Sequence, residues 1–182
     1  MIASSALNIR SANAGDVDAI IRADVAASAL FAPTGLLSPE ALDDHVEKDD
    51  LLASIDADQL DVAELPVDGV VGFNQFSRMG NDIYLQQISV HPDFGKQGIG
   101  RRLMARLDSR AENAGATQIT LSTFHDLAWN APFYASLGFI ELPRREYAPY
   151  MTAIETSQAP FMDISKRVFM RKPVRKHTKR VK

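Results

Sequence analysis

The chain has 182 residues, 46% of them hydrophobic, which is enough for one globular domain with its own core. It contains no cysteine, and this excludes disulfides, thiol catalysis and Cys-ligated zinc. The formal net charge is −3, no run of about 18 apolar residues is present, and the N-terminus lacks the basic and apolar regions of a signal peptide. We therefore expect a cytoplasmic protein whose partner is neither a membrane nor a nucleic acid.

Hydrophobic periodicity and turn residues predict the elements of the first half of the chain. Ser38 is suited to cap a helix with Pro39 at its first position, and Pro66 to Gly69 are suited to a hairpin turn. The predicted elements are a strand at Asn8–Ser11, a helix from its cap at Asp16 to about Ser28, a helix beginning at Pro39, hairpin strands at Asp61–Leu65 and Val70–Ser77, and a strand at Ile83–Val90.

The second half of the chain shows the same alternation of strands and helices. Apolar residues at Ile99, Leu103, Leu107 and Ala111 recur at steps of four and form one face of a helix. The predicted elements are a helix after Gly98, a strand at Gln118–Thr123, a short helix from Trp129 that Gly138 ends, a strand at Phe139–Leu142, a helix from Tyr147 to about Ser157, and a last strand at Lys166–Arg171.

Charge is unevenly distributed along the chain. Residues 16–68 contain 14 acidic residues against two basic ones, so they form either a solvated helical surface or a rim that attracts a cationic acceptor. The segment from Arg171 to Lys182 holds seven of the 20 basic residues and no acid, and we expect residues 173–182 to be a disordered tail. This tail either keeps the protein soluble or docks an anionic partner.

A glycine-rich turn at Gly95, Gly98 and Gly100 joins the strand Ile83–Val90 to the following helix. Such a turn presents unpaired backbone N–H groups at the positive end of the helix dipole, which is an anion site suited to phosphate. The sequence lacks the Walker pattern and the glycine spacing of dinucleotide-binding folds. The turn therefore indicates either a different phosphate site or tight packing.

Two motifs in the right order make the chain resemble the GNAT N-acetyltransferases. Their acetyl-CoA motif, Q/R-x-x-G-x-G/A after a strand ending in V-x-P, is matched by Val90-His91-Pro92 and Gly98-Ile99-Gly100. Their downstream Tyr before x-x-x-G-F is matched by Tyr134 with Gly138-Phe139. The resemblance covers roughly residues 7–142. It implies an α+β fold over residues 1–172, with a mixed, mostly antiparallel sheet and helices on both faces.

The resemblance also implies roles for individual residues. Tyr134 would be the general acid that protonates the departing CoA thiolate, because a phenol can donate to it. Backbone N–H groups of the strand before the turn would stabilise the oxyanion. The expected acetyl-CoA site comprises Ile88, Ser89, Val90, Gly95, Lys96, Gln97, Gly98, Ile99, Gly100, Arg101 and Asn130.

The chain departs from the family pattern at two binding positions. Gly95 stands where Gln or Arg is usual, so Lys96 or Arg101 would have to supply the missing positive charge. Leu127 stands where many relatives carry Asn, and Asn130, four residues before Tyr134, is the candidate for a related polar role.

The general base is the least defined part of the site. The strand before the turn offers Gln86 and Gln87 where a Glu is common, and a carboxamide cannot accept a proton at neutral pH. Asp82, His125 or a chain of water molecules would have to take the proton of the amine. The four histidines lack metal-ligand spacing, so we predict no metal site.

These observations predict transfer of an acetyl group from acetyl-CoA to a primary amine, by direct attack in a ternary complex. We expect a cationic acceptor, and the oligomeric state, a homodimer included, stays open. Two other functions stay open as well. One is a non-catalytic acyl-CoA-binding regulatory module, and the other is an enzyme that acetylates a protein or an aminoacyl-tRNA.

Overall fold

The computed structural model describes residues 7–43 and 45–174. Most of the predicted basic tail, from residue 175 onward, lies outside the described residues. Within them, no helix is long and apolar enough to cross a bilayer.

Seven strands form one sheet in the order β1-β2-β3-β4-β5-β7-β6. Neighbouring strands run antiparallel except β4 and β5, which are parallel, so the predicted mixed and mostly antiparallel sheet is confirmed. The strands are β1 Asn8–Ser11, β2 Leu60–Leu65, β3 Gly69–Met79, β4 Asp82–Val90, β5 Gln118–Phe124, β6 Ile140–Glu141 and β7 Arg167–Pro173.

Helices cover both faces of this sheet, as expected. They are α1 Val17–Ser28, α2 Pro39–Asp43, α3 Lys48–Asp56, α4 Ile99–Asn113, α5 Ala131–Ala135 and α6 Pro149–Gln158. Successive side chains of β4 point to opposite faces of the sheet, so they show which helices cover each face. Ile83 and Leu85 pack in one core cluster with α4 and α5, whereas Tyr84 packs in another with Met151 of α6. α1 and α3 pack on the α6 side, against Val62 and Phe73.

The start of the first helix differs from the prediction. Asp16 is the N-cap residue of α1, as predicted, but its side chain makes no capping hydrogen bond; a short 3-10 turn at Ala14–Asp16 precedes the helix, and Asn13 caps that turn by accepting from the Gly15 N–H. The Asp16 carboxylate instead accepts two hydrogen bonds from Arg10, at 2.7 and 2.9 Å, and one from the Asn13 N–H. The Arg10 hydrogen bonds hold the pKa of Asp16 below its usual value. The acid therefore ties β1 to the helix.

The C-terminal elements are also displaced from their predicted bounds. The last strand runs from Arg167 to Pro173, and the Val174 N–H donates to the Thr117 carbonyl at 3.0 Å. The first residues of the predicted tail thus belong to the sheet. The short helix α5 ends at Ala135, and Gly138 follows with a φ of +90°, a conformation that favours glycine.

The parallel strands β4 and β5 separate after three paired residues. Ile83, Tyr84 and Leu85 pair with residues 119–121, and no later residue of β4 pairs with β5. At the same point β4 bulges: Leu85 and Gln87 face consecutive residues of β3, which leaves Gln86 between them. A bulge bends its strand and increases the local twist. The two strands therefore part at the centre of the sheet and leave a cleft between them.

Candidate active site

The cleft between β4 and β5 contains a cavity of about 200 Å³. It reaches through the sheet, because its wall includes residues of α5 on one face and of α6 on the other. The lining residues are Leu85, Gln86, Gln87 and Ile88 of β4, Leu121 to Phe124 around the end of β5, Asn130 and Tyr134 at α5, Gln158 and Met162 at the end of α6, Phe31, Leu37 and Arg167.

Tyr134, the predicted general acid, lies in the wall of this cavity. The short helix α5 places it there, with the rings of Phe133 and Phe139 packed edge-on at 5.2 and 5.9 Å between centroids. Burial raises the pKa of the Tyr134 hydroxyl above its usual value, because an ionised phenolate would be poorly solvated there. Tyr134 is therefore a proton donor throughout the neutral range.

The predicted phosphate turn begins α4. Gly98 is the N-cap with a φ of +83°, and the first intrahelical bond runs from the Arg102 N–H to the Gly98 carbonyl at 3.1 Å. The N–H groups of Ile99, Gly100 and Arg101 precede that bond and are available to an anion. A Cβ built on Gly98 meets no described atom within 4 Å, so there is open space in front of the turn.

The basic residues of the turn have different surroundings. Arg101 donates to the Ser136 hydroxyl at 2.8 Å and lies 5.8 Å from the centre of the Phe133 ring, which links α4 to α5. Lys96 has a φ of +58° and is exposed, like Gly95 and Gln97 beside it. Arg101 is exposed as well, but its guanidinium is engaged with Ser136 and Phe133, whereas no described partner holds Lys96 away from an incoming phosphate.

The predicted oxyanion donors lie on the edge of β4 that has parted from β5. The His91 N–H donates to the Val71 carbonyl of β3 at 2.9 Å, and amide directions alternate along an antiparallel strand. The amides of Ile88 and Val90 therefore point away from β3, toward the cleft, and that of Ser89 points toward β3. The Ser89 hydroxyl donates to Asp24 at 2.7 Å, behind the cavity wall.

Two polar atoms in the cavity wall lack a hydrogen-bond partner among the described residues. They are Nδ2 of Asn130, a donor, and Oε1 of Gln158, an acceptor, and both are buried. An unsatisfied buried polar atom costs about 1–3 kcal/mol, so it usually indicates a ligand or water. The backbone carbonyl of Asn130 also accepts a hydrogen bond from the Tyr134 N–H. The side-chain amide of Asn130 therefore lies one helical turn before the phenol.

Arg167 is a residue of the cavity that the sequence analysis missed. Its guanidinium donates to the hydroxyl and the carbonyl of Ser122, at 3.1 and 2.9 Å, and lies 4.9 Å from the centre of the Phe124 ring. Burial lowers its pKa, and no described Asp or Glu pairs with it. Its sequence neighbours form an ordinary strand, so only the pairing of β7 with β5 reveals its position.

The candidates for a general base lie outside the cavity. His125 is exposed, with its ring nitrogens 2.6 Å from Asp126 and 3.1 Å from Glu141, and these carboxylates raise its pKa. Asp82 accepts from the side chain of Gln118 at 2.9 Å and does not line the cavity. No Asp, Glu or His is among the described residues that line it.

The acidic stretch contributes apolar residues, not carboxylates, to the cavity wall. Phe31 and Leu37 are its lining residues, and none of its described acids lines the cavity. Asp61, for example, pairs with Arg110 at 2.7 Å. Asp24 accepts a hydrogen bond from the side chain of Gln87 at 2.8 Å, and of these two residues only Gln87 lines the cavity. The expected acidic rim is therefore absent from the described cavity.

Comparison with known proteins places this architecture among acetyltransferases. Residues 56–141 match the family model of the acetyltransferase (GNAT) domain. The fold is also that of PaiA N-acetyltransferase from Thermoplasma acidophilum, solved with coenzyme A (TM-score 0.68, 17% identity, 92% of this chain and 98% of that one). It is shared by YncA, a putative acetyltransferase from Salmonella typhimurium solved with acetyl-CoA (TM-score 0.64, 22% identity, 95% and 96%). A GNAT acetyltransferase of Staphylococcus aureus is similar (TM-score 0.65, 18% identity, 93% and 100%).

Proposed function

We propose that this chain, a member of the GNAT acetyltransferase family, transfers an acetyl group from acetyl-CoA to a primary amine within a ternary complex. The observation that carries the proposal is the cleft between β4 and β5. A buried phenol, that of Tyr134, and the open amide edge of β4 border it, and the glycine turn of α4 follows β4 directly.

The donor binds on the face of the sheet that carries α4 and α5. Its pyrophosphate accepts hydrogen bonds from the first N–H groups of α4, where Gly98 leaves the necessary space. Lys96 adds a positive charge at the exposed side of the turn. The acetyl thioester then extends along the open edge of β4 toward Tyr134, and Asn130 offers a free amide donor on the way.

The reaction forms a C–N bond and breaks a C–S bond. The neutral amine attacks the thioester carbonyl, and the amides of Ile88 and Val90 stabilise the negative charge on its oxygen. When the C–S bond breaks, the Tyr134 hydroxyl gives its proton to the CoA thiolate. Water relays the proton that the amine loses to the phenolate and restores the Tyr134 phenol, so the products are the N-acetylated amine and CoA thiol.

The geometry leaves the predicted positive charge of the acceptor without support. The acidic residues that suggested it do not line the described cavity, and Arg167 does. The proposed acceptor therefore needs a primary amine and no further positive charge.

The test is acetyl transfer by the wild-type chain across a panel of primary amines. We expect release of free CoA thiol that depends on the amine, together with an acetylated product detected by mass spectrometry. Calorimetry with acetyl-CoA distinguishes this enzyme from the alternative, a regulatory module that binds acetyl-CoA without catalysis. Tight binding without thiol release for any amine, peptide or aminoacyl-tRNA would show a non-catalytic protein and contradict the proposal.

A further inference from the structure

Arg167 faces the side of the cleft opposite to the phosphate turn. Residues directly opposite each other in an antiparallel pair share a face of the sheet, and Arg167 pairs with Phe124. Phe169, two residues along β7 and hence on the same face, packs with Met151 of α6. The guanidinium therefore enters the cavity from the α6 side, whereas acetyl-CoA is proposed to enter from the side of α4 and α5.

The charge of Arg167 is only partly used within the protein. Its Nε and Nη2 donate to Ser122, and no described acceptor binds Nη1. Phe124 supports one face of the group. A planar guanidinium held in this way presents its remaining N–H groups as a rigid fork, which matches a carboxylate. A half-buried cation without an acidic partner is expected to bind an anionic group from outside the chain.

The rest of the wall on this side combines apolar side chains with polar ones, among them Gln87, which donates to Asp24 at 2.8 Å. Phe31, Leu37 and Met162 line it, and the buried Oε1 of Gln158 has no donor among the described residues. An amine N–H would satisfy that oxygen, and an apolar substituent would suit the neighbouring side chains. The cavity of about 200 Å³ restricts the bound part of the acceptor to the size of an amino acid.

We infer, on the basis of the proposed acetyl transfer, that the acceptor is a small primary amine that carries a carboxylate and an apolar substituent, and that Arg167 binds the carboxylate. The amine lies toward Gln158 and the thioester. A free amino acid has this chemistry, and the N-terminus of a protein lacks the carboxylate.

The first part of the test compares three matched acceptors on the wild-type enzyme. Phenylalanine, phenylalaninamide and phenethylamine share the amine and the ring, and differ in bearing a carboxylate, a neutral amide or neither. Rates are compared at equal concentrations of the neutral amine. We expect kcat/KM to be roughly 10- to 100-fold higher for phenylalanine, the range of charge-assisted hydrogen bonds. The amide also represents a protein N-terminus, so an equal or higher value for it would overturn the inference.

The second part tests the residue. Arg167→Met should raise KM for phenylalanine by roughly 10- to 100-fold, change kcat/KM for phenethylamine much less, and leave the Kd of acetyl-CoA unchanged. Arg167→Lys keeps the charge but loses the planar pair of N–H donors, so its KM for phenylalanine should lie between those of the wild type and of Arg167→Met. Arg171→Met is the matched control, because Arg171 lies on the same strand and pairs with Glu146 at 3.0 Å outside the cavity. Equal losses for phenylalanine and phenethylamine would indicate a merely structural role and refute the inference.

The binding of N-acetylphenylalanine separates this inference from the proposed reaction. Calorimetry in the presence of CoA should show binding to the wild type that Arg167→Met weakens. If that result holds while no amine is acetylated, the carboxylate site stands and the proposed activity fails. If amines are acetylated but neither the carboxylate nor Arg167 changes the rate, the activity stands and the carboxylate site fails.

Discussion

At the scale of single residues, environment decides what identical side chains can do. Arg167 and Arg171 lie on one strand, but Arg171 pairs with Glu146 whereas Arg167 has no described acidic partner and lines the cavity. Tyr134 and Tyr150 differ similarly. The Tyr150 hydroxyl shares a hydrogen bond with Thr120 at 2.9 Å outside the cavity, and that of Tyr134 is enclosed in the cleft wall.

Tyr134→Phe should lower kcat by roughly 10²- to 10⁴-fold, the usual loss when a general acid is removed. The Kd of acetyl-CoA should stay nearly constant, because the hydroxyl acts on the departing thiolate. Single-turnover thiol release and calorimetry measure the two quantities. Tyr150→Phe is the matched control and should keep its kcat. An unchanged single-turnover rate in Tyr134→Phe would remove this residue from the mechanism.

The pH dependence of the rate should follow the acceptor and not an enzyme base. No described Asp, Glu or His lines the cavity, so kcat/KM should rise with pH until the amine itself is neutral. On the alkaline side, burial raises the pKa of Tyr134, so its proton is retained up to and beyond the ordinary tyrosine value of about 10. Profiles with two acceptors of different pKa test this. An inflection fixed near pH 6.5 for both would indicate a histidine base instead.

At the scale of elements, backbone geometry builds the site. The bulge at Gln86 and the end of pairing after Leu85 turn β4 into an open edge within the sheet. Gly98 then reverses the chain with a positive φ and starts α4, the helix whose first amides face the proposed phosphate site. Arg101 fastens this helix to α5, which carries the phenol. Donor site and acid are thereby linked through one side chain.

Gly98→Ala and Gly115→Ala form a pair that separates backbone strain from ligand binding. Both glycines have a positive φ, +83° and +63°, and a Cβ on either meets no described atom within 4 Å. Each substitution should lower the free energy of unfolding by about 1–2 kcal/mol, because an L-residue is strained in this conformation. Gly98→Ala should also weaken acetyl-CoA binding by placing a methyl group in front of the turn.

Urea titration and calorimetry on both variants measure these effects. Gly115→Ala lies at the far end of α4 and should bind acetyl-CoA like the wild type. If both variants bind it with the affinity of the wild type, the pyrophosphate does not lie against this turn.

At the scale of the whole molecule, some of the charges are arranged in pairs between elements. Arg10 bridges Asp16 and Glu64, and Arg110 bridges Asp58 and Asp61, so four acids of the acidic stretch serve the scaffold. Hydrogen bonds from Arg110 hold the pKa of Asp58 below its usual value, as those from Arg10 do for Glu64. Lys96 at the exposed turn and the enclosed Arg167 have no acidic partner among the described residues, and they are the proposed sites for anionic ligands.

This arrangement predicts different salt effects on the two substrates. Screening shortens to about 8 Å at 0.15 M salt and about 3 Å at 1 M, and acts most strongly on exposed charges. KM for acetyl-CoA, whose phosphates meet the exposed turn, should therefore rise more steeply with KCl than KM for the acceptor in the cavity. Steady-state kinetics at several salt concentrations measure both. A steeper rise for the acceptor would restore the hypothesis of an acidic rim around its site.

Features that rest on local chemistry could be predicted from the residues alone. Neighbouring residues specify the alternation of apolar and polar side chains in β4, the apolar face of α4 that begins at Ile99, and the conformation of Gly98. The two motifs that indicate the family are local as well. These features gave the fold class, the donor and the proposed phosphate turn. Tyr134 could be proposed as the acid because the spacing to Gly138 and Phe139 is local as well.

Contacts between side chains that lie far apart along the chain could not be predicted in this way. Arg167 reaches the cavity because β7 pairs with β5 in a register that brings it beside Ser122, 45 residues earlier in the chain. At the N-cap of α1, the Asp16 side chain accepts from Arg10 across a turn instead of bonding the first amides of the helix, and Gln158 enters the wall from a helix on the opposite face to Tyr134. Pairing register and helix packing depend on the burial of the whole apolar surface, which no local pattern specifies. From the sequence, the acidic stretch was either a solvated surface or a rim for a cationic acceptor, whereas the proposed carboxylate site depends on Arg167, which only the pairing of β7 with β5 brings into the cleft.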